Sequence, residues 1–144
     1  MRNIQKRYFL AAASAIFFVT AGAHLSCIYF GPACYKLQLA PASIVALAQN
    51  NFYLASFYNV VGSSLFIVAG FYAMAPVIKC CKLPYIKIII YTISCICIVR
   101  GLLSLPLYYL ATSSNLIVSI LVGLVWFLVG CLLLAGNLNV QKNT

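Results

Sequence analysis

The sequence contains no aspartate and no glutamate, and it has a single histidine. Without carboxylates there are no paired acids for glycoside hydrolysis, no carboxylate general base and no acidic oxygen ligands for calcium or magnesium. The acidic side chains that usually couple transport to protons or sodium are missing as well. An enzyme or an ion-coupled pump built on this chain would therefore depend on the histidine, the seven cysteines and the tyrosines, or on a partner subunit.

Charged residues of any kind are scarce, since they make up 6% of the chain against 65% hydrophobic residues. The mean hydropathy is +1.08. An ordinary soluble domain is about half apolar and about a quarter charged. A soluble core of 144 residues cannot bury this much apolar surface, so the surplus is expected to face lipid.

Nine lysines and arginines give the chain a formal net charge of +9. A strongly basic balance can indicate nucleic-acid binding. Here, however, the basic residues stand in short groups beside long apolar runs, which is typical of chains that meet anionic lipid headgroups. We therefore expect a bilayer with anionic lipids as the partner, and no nucleic acid.

Four apolar stretches are long enough to cross a membrane, because a hydrocarbon core of about 30 Å takes roughly 20 residues of helix. They cover residues 9–30, 52–77, 85–109 and 116–136, approximately. We predict an all-α polytopic protein, a four-transmembrane-helix bundle that forms a single membrane domain over residues 1–144.

Two prolines are expected at the starts of predicted helices. Pro41 favours a short helix over about 41–49, inside a long outer loop at 31–51. Pro84 is expected as the first residue of the third long helix, where its missing N–H costs nothing.

The basic residues predict the orientation of the helices, because cytoplasmic loops carry an excess of lysine and arginine. Alternating the helix ends across the membrane puts seven of the nine basic residues on one side and only Lys36 on the other. Both termini are therefore predicted to be cytoplasmic. The seven are Arg2, Lys6, Arg7, Lys79, Lys82, Lys87 and Lys142.

The N-terminus also resembles a signal peptide, with a basic start, an apolar run and a candidate cleavage site at Ala21-Gly22-Ala23. Cleavage there would remove the first helix. The apolar run continues beyond this site to Phe30, which is longer than the core of a signal peptide. We therefore predict that the first helix is retained.

Arg100 is the one charged residue deep within a predicted span. Inserting Arg at a helix centre costs about 2.5 to 3.5 kcal/mol, so such a residue needs water, partners or a role. Counted along their helices, His24 and Asn59 lie at a depth similar to that of Arg100. We predict that the three meet in the outer half of the bundle. Small polar residues share their helix faces: Ser56 and Ser63 beside Asn59, and Ser104 beside Arg100.

No carboxylate is available to neutralise Arg100, so the predicted cluster attracts anions. A lipid phosphate, a carboxylate or a polar quinone headgroup would suit it, and the forked guanidinium fits phosphate well. In the alternative interpretation, Arg100 reaches outer headgroups through helix tilt, while His24 and Asn59 only bond neighbouring helices.

The cysteines show no organised motif, because seven is an odd number and no CxxC occurs. Cys27 and Cys34 lie near the predicted outer face, where an oxidising compartment could pair them. Cys80 and Cys81 fall on the cytoplasmic side, where acylation or metal binding is an option. The simplest role of each is that of a small apolar residue. We predict no metal site and no cofactor.

Four short motifs are spread over most of the chain: His24-Leu25 with Tyr29-Phe30-Gly31-Pro32, Gly70-Phe71-Tyr72-Ala73, Leu83-Pro84, and Arg100-Gly101-Leu102 with Pro106. In these motifs the chain resembles small bacterial four-helix inner-membrane proteins of uncharacterised function. That resemblance implies the bacterial cytoplasmic membrane as the location. The chain is also similar, more distantly, to DoxX-like four-helix membrane proteins, which would imply a quinone-linked or thiol-linked redox role.

Three classes of function follow. The first is a membrane protein that binds an anionic or amphiphilic small molecule or lipid at the polar cluster. The second is a structural or accessory subunit whose small-residue helix faces dock a membrane protein partner. An enzyme is the least supported class, because His24 has no carboxylate to orient it and no organised nucleophile beside it.

Overall fold

The computed structural model describes residues 2–38, 40, 42–78, 83–111 and 116–137. The regular secondary structure of these residues is entirely α-helical. The helices are α1 (Arg2–Phe30), α2 (Pro32–Leu37), α3 (Ala42–Asn50), α4 (Phe52–Ile78), α5 (Ile86–Ala111) and α6 (Leu116–Asn137).

Four of the helices in the described ranges, α1, α4, α5 and α6, are long and apolar enough to cross a membrane. Only 22 to 28% of each apolar window is buried inside the protein. Large apolar side chains therefore face outward; Val19 and Ile117, for example, are each 72% exposed. Apolar surface of this extent needs lipid against it, and the chain is accordingly an integral membrane protein.

The long helices begin and end close to the predicted positions, except at the N-terminus. The bounds of α4, α5 and α6 agree with the predicted spans within about two residues. By contrast, α1 begins at Arg2 rather than near residue 9. Hydropathy alone places the start too late, because arginine, lysine and glutamine are good helix formers although they are not apolar.

The predicted outer loop is largely helical. The expected short helix at about 41–49 corresponds to α3, while α2 was not predicted; Pro41 itself lies outside the described residues. Gly31 separates α1 from α2 with a φ of 73°, a conformation that glycine adopts without steric cost. Its N–H donates to the carbonyl oxygen of Cys27 over 2.9 Å and ends α1.

The third long helix does not start at Pro84, as expected, but at Ile86. Pro84 and Tyr85 form a turn before it. The reason is the backbone of Tyr85, which has a φ of 52° in the left-handed region and so cannot continue a right-handed helix.

Contacts divide the chain into two compact units. Unit 1 combines Met1–Ile16 with Ala69–Thr144 and so contains the start of α1, the end of α4, and α5 and α6. Unit 2 is Phe17–Val68 and contains the rest of α1 and α4 together with α2 and α3.

Small residues join the helices of unit 1. Ser14, which is fully buried on α1, donates its hydroxyl to the carbonyl oxygen of Gly70 on α4 over 2.8 Å. Ser94 on α5 donates to the carbonyl oxygen of Gly130 on α6 over 2.7 Å. At Gly136 of α6 an added Cβ would lie 2.6 Å from Cγ of Leu10. Such side chains allow helix backbones to approach closely, which favours association in lipid.

The core of unit 2 lies where α2 and α3 pack against the end of α1 and the start of α4. Its buried members are Cys27, Tyr35, Ala48 and Ala55. Tyr35, from the helix that was not predicted, is the largest of them and is 4% exposed. The loop between α1 and α4 is therefore a packed part of unit 2 rather than an open connection.

Candidate functional site

Arg100 lies on an exposed face of α5 in unit 1. There it borders a surface groove of about 430 Å³, lined also by Cys95, Ile96, Val99 and Leu103. Most of these positions are three or four residues apart and so share one face of the helix. We call this the Arg100 groove: an apolar channel with one permanent positive charge beside it.

The guanidinium of Arg100 is placed by Trp126 of α6. Its Cζ lies 5.9 Å from the centroid of the indole ring, a cation–π contact. The indole is 7% exposed and therefore fixed, whereas Arg100 is exposed. Among the residues that the structure describes, none accepts a hydrogen bond from this guanidinium, and the sequence supplies no acid to neutralise it. Toward the described part of the chain, its N–H donors are unused.

Close packing of α5 on α6 produces this contact. At Gly101 an added Cβ would lie 2.8 Å from the carbonyl oxygen of Gly123 and 2.8 Å from the backbone nitrogen of Phe127. Ser104, predicted as a ligand residue, donates its hydroxyl to the carbonyl oxygen of Gly101 over 2.7 Å and packs against Gly123. Ser104 thus takes part in the packing of the two helices.

His24 and Asn59 are brought together in unit 2 through the backbone of His24. The side-chain amide nitrogen of Asn59 donates to the backbone carbonyl oxygen of His24, which links α4 to α1. Ser63 donates to the carbonyl oxygen of Asn59 over 2.8 Å. The imidazole stacks on the ring of Phe66, with centroids 5.4 Å apart and planes inclined by 17°. This arrangement holds the two helices in register.

Two buried polar atoms of unit 2 have no hydrogen-bond partner among the described residues. They are the hydroxyl oxygens of Ser56 and Tyr35. Ser56 was predicted to line the polar cluster beside Asn59, and its neighbour Ala55 belongs to the core of unit 2.

The predicted cluster therefore has members in both units. Arg100 and Ser104 belong to unit 1, and His24, Asn59, Ser56 and Ser63 belong to unit 2. A meeting of Arg100 with His24 and Asn59 stays a prediction. Within unit 1, Arg100 already has a neighbour, the indole of Trp126.

Cys27 and Cys34 form a disulfide, a pairing that the sequence left open. Their Cα atoms are 5.1 Å apart across the turn at Gly31. Gln38 braces this turn, since its side-chain nitrogen donates to the carbonyl oxygen of Ala23 over 2.5 Å and lies 3.4 Å from Sγ of Cys34.

The other described cysteines, Cys95, Cys97 and Cys131, are not paired. Cys80 and Cys81 lie outside the described residues, as do Lys79, Lys82 and Lys142. In the part of the chain that the structure describes, no group of three or more His and Cys side chains could hold a metal ion.

Sequence reasoning missed Trp126 as a site residue. It is the only tryptophan and lies between Gly123 and Gly130 on the face of α6 that carries the small residues. That spacing identifies a packing face. It does not say which helix packs there, so the contact with Arg100 could not be read from the sequence.

The fold and the groove define an all-helical integral membrane protein with an exposed arginine on a membrane-crossing helix. No protein-family model, no curated protein and no solved structure matches this chain significantly. The resemblances to small bacterial inner-membrane proteins and to DoxX-like proteins therefore stay predictions.

Proposed function

We propose that the protein binds an anionic amphiphile, of which an anionic phospholipid is the simplest case, in the Arg100 groove. One observation carries this proposal: a guanidinium without a counter-ion stands beside an apolar channel on a helix surface. The apolar part of the ligand would lie along Ile96, Val99 and Leu103. Its phosphate or carboxylate would accept hydrogen bonds from Arg100.

The energetics favour an anion over a neutral ligand. An arginine near the middle of a span costs about 2.5 to 3.5 kcal/mol to insert. The contact with Trp126 offsets part of this, because a cation–π pair contributes about 0.5 to 2 kcal/mol. It neutralises no charge, however. An anionic headgroup supplies both the missing charge and the missing hydrogen-bond acceptors.

Trp126 provides the test, since it is the only tryptophan and lies beneath Arg100. The protein is reconstituted in phosphatidylcholine vesicles that contain brominated phosphatidylglycerol or, separately, brominated phosphatidylcholine. We expect the anionic lipid to quench indole fluorescence more strongly at equal mole fraction. Arg100→Gln should reduce this preference about tenfold, the effect of losing one charge-assisted contact.

Lys36→Gln is the matched control, because it removes one exposed charge from unit 2 and should leave the preference unchanged. Unlabelled phosphatidylglycerol should compete, whereas inorganic phosphate should not if the apolar channel contributes. Equal quenching of the native protein and Arg100→Gln by both lipids would reject the proposal. Native mass spectrometry of both proteins would identify the lipid that is retained.

We propose further that both termini face the cytoplasm. The support is the distribution of charge, with seven of nine basic residues at one set of helix ends. The disulfide adds to it, because Cys27 lies far along α1 from the basic start of that helix, and disulfides persist in oxidising compartments. Location in a bacterial cytoplasmic membrane rests on the resemblance alone.

A thiol-linked redox role is the second candidate, and the disulfide favours it. Thiol–disulfide exchange requires a thiolate to reach one of the two sulfur atoms. Cys27 is 0% exposed, whereas Cys34 is half-buried, so attack would have to occur at Cys34. Stable protection of this disulfide from a small dithiol in the folded protein would exclude the role.

A role as an accessory subunit is the third candidate. It is favoured by the apolar surface of α6, where Ile117 and Leu121 are 72% and 55% exposed. Lipid covers such a surface equally well. Co-purification of one stoichiometric membrane partner in mild detergent would favour this role over ligand binding.

A further inference from the structure

A second cleft lies in unit 1 where α1 begins and α4 ends. Its volume is about 270 Å³, and it is lined by Ile4, Arg7, Tyr8, Ala11 and Val77. The four residues from α1 recur at three- and four-residue spacing and so form one face of that helix. We call this the Arg7 cleft, and it shares no residue with the Arg100 groove.

Arg7 is held in place at this cleft. One terminal guanidinium nitrogen donates to the backbone carbonyl oxygen of Val77 over 2.6 Å. Val77 is in the last turn of α4, where carbonyl groups have no partner within the helix and carry the negative end of the helix dipole. The arginine therefore caps α4 with one of its terminal nitrogens.

The bond to Val77 uses only one of the N–H donors of Arg7. The group has five N–H donors in a rigid fork, and among the described residues Val77 is its only hydrogen-bond acceptor. Arg7 is exposed, and the sequence contains no Asp or Glu side chain to pair with it. A preorganised fork with free donors suits the oxygens of a phosphate.

The other residues of the cleft indicate which class of phosphate-containing ligand would fit. Its walls are apolar on one side: Ile4 is 60% exposed, and Ala11 and Val77 lie next to it. Tyr8, 69% exposed, adds a phenol of the kind that sits at the level of lipid headgroups. A small soluble anion would leave the apolar walls in contact with water, whereas a lipid would cover them with its glycerol and upper acyl chain.

We propose that the Arg7 cleft is a specific site for an anionic phospholipid in the leaflet that meets the basic helix ends. The phosphate accepts hydrogen bonds from the free edge of Arg7, and the first part of an acyl chain packs along Ile4, Ala11 and Val77. The bound lipid joins α1 to α4 at a point where the protein supplies one hydrogen bond. This site is independent of the Arg100 groove.

Matched variants distinguish a built site from diffuse attraction to a basic surface. Lys6→Gln and Arg7→Gln each remove one charge at neighbouring positions, but only Arg7 lines the cleft. Ala11→Trp fills the cleft while leaving Arg7 and its bond to Val77 in place. Arg7→Gln also removes the cap of α4, so weaker binding in that variant alone could reflect a change in the helix end. Ala11→Trp tests the cleft without removing the cap.

The measurement is native mass spectrometry of the detergent-solubilised full chain during titration with phosphatidylglycerol, phosphatidylcholine or inorganic phosphate. We expect saturable binding of phosphatidylglycerol whose affinity falls about tenfold in Arg7→Gln and in Ala11→Trp. The first variant loses a charge-assisted hydrogen bond, and the second loses the space for the acyl chain. Lys6→Gln should change it less than about twofold. Phosphatidylcholine and inorganic phosphate should not compete.

Three results would overturn the proposal: equal weakening by Lys6→Gln and Arg7→Gln, undiminished binding in Ala11→Trp, or displacement of the lipid by inorganic phosphate. Because the titration counts lipids bound at both sites, Arg100→Gln should remove one bound phosphatidylglycerol and leave the one that depends on Arg7 and Ala11, while Arg7→Gln should leave the quenching of Trp126 unchanged. Failure at one site is thereby separated from failure at the other.

Discussion

Tyr35 carries a buried hydroxyl whose hydrogen-bonding needs the described residues do not meet. The residue is 4% exposed, and its oxygen has no partner there. Burying a hydroxyl without a partner costs about 1 to 3 kcal/mol. Tyr35→Phe keeps the ring in the core of unit 2 and removes that cost, so we expect it to raise the free energy of unfolding by up to about 1 kcal/mol.

Thermal unfolding in detergent, followed by circular dichroism, measures this effect. Tyr29→Phe is the control, because Tyr29 is 88% exposed and its hydroxyl should contribute little. A lower melting temperature for Tyr35→Phe than for Tyr29→Phe would mean that the Tyr35 hydroxyl has a partner, such as an ordered water molecule.

Single polar residues of the site could be selected from the sequence, but their partner atoms could not. Arg100, His24 and Asn59 stand out because polar groups are costly within apolar spans. The acceptor of the Asn59 amide is the backbone carbonyl of His24. Every residue has such a carbonyl, so no sequence pattern identifies the one that is used. Likewise, nothing in the spacing of α5 shows that an indole lies under Arg100.

Packing of α5 against α6 depends on the absence of side chains at particular positions. At Gly130 an added Cβ would lie 3.0 Å from the backbone nitrogen of Ile98 and 3.0 Å from the carbonyl oxygen of Ser94. Backbone atoms cannot move aside without separating the helices. Gly130→Ala should therefore lower the free energy of unfolding by about 1 to 3 kcal/mol, the usual cost of overpacking.

Gly22→Ala is the matched control, because nothing lies within 4 Å of a Cβ built at Gly22. Alanine has the higher helix propensity, so this variant should be neutral or stabilising by up to about 1 kcal/mol. Both variants are compared by thermal unfolding in the same detergent. Equal effects of the two substitutions would contradict the close approach of α5 and α6.

The long helices could be predicted from the sequence, whereas the short helix α2 could not. The long helices follow from apolar runs that match the thickness of a bilayer. The short helix α2 does not, because six residues carry no periodic signal and its geometry depends on the turn at Gly31 and on the disulfide. The early start of α1 was missed for another reason, since its first residues form a helix without being apolar.

For the whole molecule, composition identifies a membrane protein but not the arrangement of its helices. In water, an amphipathic stripe shows which side of a helix faces the core. In lipid that contrast is lost, because the surroundings are as apolar as the core. Glycine and serine positions then become the main guide, and they indicate which face packs without naming the partner helix. The two binding sites proposed in unit 1 both depend on such pairings.

Orientation in the membrane yields a prediction for the molecule as a whole. Single cysteines are introduced as Gln5→Cys near the basic start of α1 or as Ser43→Cys on α3, both at exposed positions. The five cysteines outside the disulfide, Cys80, Cys81, Cys95, Cys97 and Cys131, are replaced by alanine, and the disulfide is retained. Since basic ends stay in the cytoplasm, a membrane-impermeant maleimide should label Ser43→Cys in intact cells and Gln5→Cys only after permeabilisation.

The opposite labelling pattern would place the basic helix ends outside. It would also conflict with the disulfide, because Cys27 and Cys34 would then face a reducing compartment in which such bonds rarely persist. Labelling and disulfide state are measured independently, the second by the mass shift on alkylation with and without reductant. If both agree, the Arg7 cleft faces the leaflet whose anionic lipids it is proposed to bind.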